Sequence, residues 1–117
     1  MTDTTPALSI TAEPQVIPTN CLFRVDRTLG SETLYTSDPE WAAEWAPLAA
    51  AIFSTVEGIQ GVRIGPAEVL VTLQTTPSDW RETARELGSA IRTHLHDDRV
   101  IVKDGANATL EGPDLAR

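Results

Sequence analysis

Two apolar segments near the middle of the chain are separated by a connection of only four residues, 65–68. The first segment carries Val62 and Ile64 at alternate positions, and the second carries Val69 and Val71 in the same way. Alternation with a period of two is typical of strands that bury one face. So short a connection can join antiparallel strands, whereas parallel strands need a crossover of roughly a dozen or more residues. The chain is therefore predicted to contain an antiparallel hairpin.

Further strands are predicted on both sides of this hairpin. Apolar and polar residues alternate at 8–12 and again at 21–25, and a short strand is expected at 32–36. The β-branched run at 100–102 predicts a last strand that returns to the sheet. The predicted sheet therefore combines segments from nearly the whole length of the chain.

Two prolines divide the first helical region. A small polar residue stands directly before Pro39, and proline suits the first position of a helix. The ring of Pro47 would clash with the carbonyl group four residues earlier in a continuous helix. The sequence therefore predicts a short helical turn at 39–45 and a separate or kinked helix from 47 to about 56.

The clearest helix start has Thr76 as a candidate N-cap, Pro77 at the first helical position and Asp79 in the first turn. The residues that follow at helical spacing form a buried stripe, namely Trp80, Ala84, Leu87, Ile91 and Leu95. Hairpins combined with two amphipathic helices predict an α+β domain of two layers. We expect a mostly antiparallel β-sheet with both helices on one face.

Length and charge indicate the class of protein. At 117 residues the chain has the size of one domain, and we expect a flexible arm at 1–7, the folded domain at 8–103 and a flexible tail at 104–117. Seventeen acidic against nine basic residues give a net charge of −8, which repels nucleic acid and anionic membranes. No apolar run approaches the roughly 20 residues that cross a bilayer, and the first residues do not resemble an export signal. We therefore expect a cytoplasmic monomer or weak dimer that binds neither nucleic acid nor membrane.

The single cysteine, Cys21, is the strongest nucleophile and the softest metal ligand in the sequence. It shares a predicted strand face with Phe23 and Val25, and a thiol in apolar surroundings is usually an inert small hydrophobe with a raised pKa. One thiolate cannot supply the four that a cysteine-ligated metal cluster takes. We expect Cys21 to be a core residue, and we expect no resident cofactor or metal.

The other metal-competent side chains lie together at the end of the last predicted helix, at His94, His96, Asp97 and Asp98. Residues two apart do not share a helix face, so both imidazoles could bind one ion only if the helix ended between them. Imidazoles in a last helical turn also complement the helix dipole, and paired aspartates are typical of a polar turn. No pattern typical of a nucleophile with its base is present, so we expect a protein that is not an enzyme. A small enzyme that uses Cys21 or the two histidines is the lowest-ranked alternative.

Three tryptophans are many for a chain with so few aromatic residues. Tryptophan is favoured where an apolar ring and a polar N–H meet a partner protein. Trp80 belongs to the predicted buried stripe, so core packing is the favoured interpretation for it. Trp41 and Trp45 are candidate partner-binding residues, with core packing as an equal alternative.

An ordered series of residues resembles the N-terminal domain of Nfu/NifU-type iron–sulfur scaffold proteins. The series consists of the segments 46–53, 57–62 and 64–72 and the pair Asp79-Trp80. The resemblance covers roughly residues 10–95, which is nearly all of the predicted domain. In that family the cluster ligands belong to a separate domain with a Cys-x-x-Cys pair, and no such pair is present in this sequence. The resemblance therefore carries no ligand residue onto this chain.

The same family carries the motif Glu-x-Thr-Pro-Asn-Pro in its first hairpin. Here Glu13, Pro14 and Pro18 fit the pattern, whereas Val16 and Ile17 replace the Pro-Asn pair. The resemblance makes the three matching residues candidate partner-binding residues.

The resemblance implies a domain associated with iron–sulfur cluster assembly that contacts assembly or client proteins. The leading hypothesis is a non-enzymatic accessory or protein-interaction module linked to that assembly. The alternative is a protein-binding domain of unrelated function on the same fold, because a fold does not determine a function.

Overall fold

The computed structural model describes residues 9–30, 33–97, 99–103 and 106. Five strands and three helices follow one another in this part of the chain. They are β1 (Ile10–Pro14), β2 (Asn20–Val25), β3 (Leu34–Thr36), α1 (Pro39–Trp45), α2 (Pro47–Thr55), β4 (Ile59–Ile64), β5 (Glu68–Leu73) and α3 (Trp80–His96). The predicted arm at 1–7 and nearly all of the predicted tail at 104–117 lie outside the described residues.

The strands form one antiparallel sheet in the order β1-β2-β5-β4-β3. The predicted hairpin lies at its centre, where β4 and β5 pair with Ile64 opposite Val69. The other side of β5 pairs with β2, which places Phe23 opposite the same valine. The α+β class with a mostly antiparallel sheet, as expected from the sequence, is confirmed.

One face of the sheet carries the core. Alternate residues of the central strands are fully buried there, among them Cys21, Phe23, Val62, Val69 and Val71. The helices cover this face, with α1 against β3, α2 against β4 and α3 against β1. They bring further fully buried side chains to the same core, including Leu48, Ile52, Leu87 and Ile91. None of the helices in the described ranges is long and apolar enough to cross a membrane.

The prediction that Pro39 and Pro47 divide this region into two helices is confirmed. Asp38 caps α1, because its side chain accepts a hydrogen bond from the Glu40 N–H at 3.0 Å. Pro47 is the first residue of α2. The short helical turn expected at 39–45 is thus a helix of seven residues, so that three helices rather than two cover the sheet.

The predicted last strand at 100–102 is wrong. This segment follows α3 and packs against the junction between α1 and α2 instead of joining the sheet. The Leu48 N–H donates to the Ile101 carbonyl at 3.3 Å, near the start of α2. The Lys103 N–H donates to the Trp45 carbonyl at 2.8 Å, at the end of α1. The first N–H groups and the last carbonyl groups of a helix have no hydrogen-bond partner within that helix. This segment supplies such partners to α1 and α2, which are distant in sequence, and its own residue pattern does not indicate this.

The helix α3 begins later than predicted. Its N-cap is Asp79, whose carboxylate accepts a hydrogen bond from the Arg81 N–H at 2.9 Å. The predicted cap, Thr76, lies in the exposed connection before the helix. The next residue, Trp80, is anchored from outside the helix, since its indole N–H donates to the Pro18 carbonyl at 2.8 Å. A contact distant in sequence therefore helps to place the start of α3.

The two candidate caps of α3 are distinguished by paired substitutions. Asp79→Ala is expected to lower the free energy of unfolding by about 1 kcal/mol, because an orphan N–H loses its acceptor. Thr76→Ala is expected to change it very little, and Asp79→Asn is expected to retain most of the capping. Urea denaturation followed by circular dichroism measures all three. An equal loss in Asp79→Ala and Thr76→Ala would contradict the observed helix start.

Candidate protein-binding site

A groove with a volume of about 600 Å³ lies between β1 and α3. The strand side contributes Ile10, Ala12 and Pro14 from β1, together with Phe23 from β2. The first three alternate along the strand, so they lie on the side of the sheet that the helices cover. The groove is therefore a gap in the helical cover, at the edge of the sheet.

Two small residues leave this gap open. Ala12 lies opposite Phe23 in the register of β1 with β2, and it is exposed although it is on the core side. Across the groove, Gly88 lies within the continuous helix α3 and has no side chain to fill the gap. A Cβ atom on Gly88 would lie 4.0 Å from Cε2 of Phe23, which is ordinary van der Waals distance. The ring of Phe23 therefore lies directly beneath this part of the groove, although it is fully buried.

Three arginines of α3 line the helix side of the groove, at Arg81, Arg85 and Arg92. With 3.6 residues per turn, these positions fall within a narrow arc of the helix surface. The lining contains no carboxylate among the described residues. Arg81 is held by Asp79, with its Nε 3.4 Å from the carboxylate, whereas Arg85 forms no ion pair with another described residue. The groove is thus locally positive on a protein of net charge −8.

The outer edge of β1 is open along the groove. The Asp26 N–H donates to the Ser9 carbonyl at 3.2 Å, and the Gln15 N–H donates to the Asn20 carbonyl at 3.1 Å. Hydrogen-bonded positions alternate along an antiparallel ladder, so Thr11 and Glu13 also direct their backbone groups toward β2. The residues between them direct theirs outward. No other described strand pairs with that edge.

The tip of the β1–β2 hairpin adds exposed apolar surface beside the groove. Val16 is 101% exposed and Ile17 is 59% exposed. The tip is tied to the groove wall through Pro18, whose carbonyl accepts the hydrogen bond from Trp80. Trp80 is itself half-buried, and it both lines the groove and packs against the core.

The hairpin candidates predicted from the sequence divide between two faces. Pro14 lines the groove and Pro18 lies at its end. Glu13 points to the opposite face of the sheet, where it pairs with Nε of Arg24 at 2.9 Å. Arg24 in turn lies 3.8 Å from Glu68, which pairs with Arg63 at 3.3 Å. Glu13 therefore belongs to a row of charges across the open face and not to the groove.

Trp41 and Trp45 lie at the other end of the sheet. Both belong to α1, which packs against the edge strand β3, whereas β1 is the opposite edge. Both rings are half-buried against the core. The structure therefore separates these tryptophans from the groove, and they stay candidate partner-binding residues that are partly buried against the core.

Sequence reasoning did not identify the arginines or the exposed pair at the hairpin tip as a site. Charged residues on a helix usually form a solvated face, so the residue types alone do not distinguish Arg81, Arg85 and Arg92 from other surface residues. The signal that could have revealed them is their shared arc on α3, opposite a strand with an alanine at its centre. That comparison requires knowing that α3 packs beside β1.

The expectation that Cys21 is a core residue is confirmed. Its side chain is fully buried. Burial raises the pKa of the Cys21 thiol to about 11, opposed by a backbone hydrogen bond from Glu13 and reinforced by the negative charge of that residue. At neutral pH the group is a thiol, which is a poor nucleophile and a poor metal ligand.

The two histidines of α3 lie in different surroundings. His94 is buried, and its Nε2–H donates to the Val100 carbonyl at 2.7 Å. His96 is exposed, with its Nδ1 3.4 Å from Asp97. Within the described ranges, no group of three or more His, Cys, Asp or Glu side chains is placed to hold a metal ion. His94 instead ties the segment after α3 to the helix.

The raised pKa of Cys21 predicts slow reaction with thiol reagents. At pH 8 the folded protein is expected to react with Ellman's reagent at least about 100-fold more slowly than the urea-unfolded protein, since the thiolate fraction differs by about that factor. Absorbance at the wavelength of the released thiolate measures both rates, with Cys21→Ser as the blank. Similar rates in the two states would contradict the burial of this group.

Comparisons with known proteins concern the fold. No family model matches the sequence, and no curated protein matches it. The structure is similar to the solution NMR structure of a NifU-like protein from Saccharomyces cerevisiae. The TM-score is 0.70, the match covers 89% of this chain and 92% of that chain, and the sequence identity is 17%. The chain therefore has the fold of a NifU-like protein, as the resemblance in its sequence implied.

Proposed function

We propose that this protein is a non-enzymatic protein-interaction module linked to iron–sulfur cluster assembly. The observation that carries the interaction role is the groove between β1 and α3, with its apolar floor and its row of arginines. Exposed apolar surface next to convergent polar groups is typical of a binding site. The link to iron–sulfur assembly is supported by the shared fold with a NifU-like protein.

A binding role agrees with the state of the residues best suited to chemistry. The thiol of Cys21 is buried with a raised pKa, and the imidazole of His94 is used to hold a backbone carbonyl. Each of these groups serves the stability of the fold. Arg85 of the groove, by contrast, is exposed and forms no ion pair with another described residue.

The charge distribution supports a partner that is a protein with an acidic contact region. The net charge of −8 disfavours contact with acidic molecules over most of the surface. The groove reverses that sign locally, because its charged lining residues are arginines. A partner is therefore expected to dock in one orientation, with its acidic region at α3.

Affinity capture from the native cell tests the proposal. Tagged wild-type protein is expected to recover iron–sulfur assembly or client proteins, and Arg85→Glu is expected to lose them, because the substitution reverses a charge in the groove. Lys103→Glu makes the same charge change on an exposed residue beside the junction of α1 and α2, outside the groove lining, and is expected to behave as wild type. Mass spectrometry identifies the captured proteins.

Two outcomes would contradict parts of the proposal. Recovery of a reproducible partner with no relation to iron–sulfur proteins would replace the assembly role with the alternative of an unrelated binding function. Equal capture by wild type and Arg85→Glu would show that the groove is not the contact surface. Thermal denaturation of each variant, followed by circular dichroism, controls for loss of the fold.

A further inference from the structure

We infer that the groove receives an extended acidic segment of a partner protein, which pairs with the open edge of β1 as an antiparallel sixth strand. The inference rests on the proposed function as an interaction module and adds the chemistry of the partner segment. Three features of the site carry it. They are the outward backbone groups of β1, the arginines above them, and the space left by small residues between the two.

The backbone groups come from Ile10 and Ala12. Because Thr11 and Glu13 direct their groups toward β2, each of the two alternate residues presents one N–H and one C=O to the outer edge. A strand that lies beside β1 satisfies these groups. Main-chain hydrogen bonds supply affinity in such strand addition, and alternate side chains supply specificity.

The arginines set the charge of the segment. A guanidinium group matches a carboxylate in shape and forms two parallel hydrogen bonds with it. Arg85 is exposed and has no ion pair with another described residue, so it can bind a carboxylate without losing one. The side chains of an added strand that point toward the helical layer lie beneath this row.

The spacing of the arginines sets the spacing of the acids. Arg85 and Arg92 are seven residues apart, which corresponds to about 10 Å along a helix. Positions i and i+4 of a strand face the same side and lie about 13 Å apart. The length of arginine side chains covers the difference. Two acidic residues four positions apart therefore match the row.

The residue between the two acids faces the smallest part of the site. Ala12 and Gly88 lie there, above the ring of Phe23. A branched aliphatic side chain occupies such an apolar space, and it has a high preference for strands. The expected segment therefore has the pattern acid-x-aliphatic-x-acid, with the aliphatic residue opposite Ala12.

The probe is a fluorescein-labelled peptide, Thr-Glu-Thr-Ile-Thr-Glu-Thr, titrated with the full chain and followed by fluorescence anisotropy. A second peptide carries lysine in place of both glutamates. A third carries an N-methyl group on the isoleucine amide, which faces β1 in the inferred pairing. A fourth carries the N-methyl group on a neighbouring threonine amide, which faces away from β1.

The expected result is binding of the acidic peptide and no detectable binding of the lysine peptide. N-methylation of the isoleucine is expected to weaken binding about threefold to tenfold, the usual effect of one net hydrogen bond, while N-methylation of the threonine has little effect. Arg85→Glu is expected to weaken binding at least about tenfold, since it removes a charge-assisted hydrogen bond. Lys103→Glu is the charge-matched control.

A second protein variant tests the strand pairing by a change in β1 instead of a change in the peptide. Ala12→Pro removes an outward N–H and leaves the hydrogen bonds between β1 and β2 in place, and proline is tolerated on edge strands. Binding is expected to weaken about threefold to tenfold. If this variant does not fold, the pair of N-methylated peptides still decides the matter.

Equal binding of the two N-methylated peptides, equal binding of the lysine peptide, or no binding of the acidic peptide up to about 1 mM would overturn the inference. Binding of heparin in place of the peptide, lost in Arg85→Glu, would assign the arginines to a polyanion and overturn it as well. Suppose that the acidic peptide does not bind, while wild-type protein captures iron–sulfur proteins and Arg85→Glu does not. The inference about the strand is then overturned, and the proposed function is supported. If the peptide binds while no iron–sulfur protein is captured, the inference stands and the assembly link fails.

Discussion

The pairing of β5 with β2 on one side and with β4 on the other is the interaction on which the rest of the structure depends. It joins the first hairpin of the chain to the second and makes β1 and β3 the edges of the sheet. Its register places Phe23 opposite Val69, so that the apolar residues of both strands face the same side. A shift by one residue would turn that whole set toward water. The helices must then cover this face, and every later feature follows from how they do so.

The helices cover the apolar face at the centre of the sheet and leave a gap over one edge strand, β1. The fully buried Leu48 and Ile52 of α2 close the middle, and α1 closes the side of β3. At the other side α3 is the helix that packs against β1. There, Ala12 and Gly88 supply too little volume to fill the space between strand and helix. The candidate site is therefore a direct result of residue size at these two positions.

The parts of the structure that depend on local chemistry could be predicted from the sequence. The hairpin around 65–68 and the helix break at Pro47 both follow from short-range rules and agree with the structure. The position of the segment 100–102 could not be predicted. Its β-branched residues are typical of a strand, whereas the backbone of this segment forms hydrogen bonds with helix ends that are distant in sequence. The groove could not be located for the same reason. It exists only where α3 lies beside β1, and no residue of either element reveals that neighbour by itself.

The arginines on the two faces of the sheet have different electrostatic surroundings. On the open face, Arg24 and Arg63 share the carboxylates of Glu13 and Glu68, so their charges are largely balanced within the sheet. Among the arginines that line the groove, Arg81 lies 3.4 Å from the Asp79 carboxylate, whereas Arg85 forms no ion pair with another described residue. An acidic partner is therefore repelled by most of a protein with a net charge of −8 and attracted at one place. Such an arrangement contributes orientation and association rate, while the charge-assisted hydrogen bonds, the apolar side chains of the groove and the open strand edge contribute the affinity.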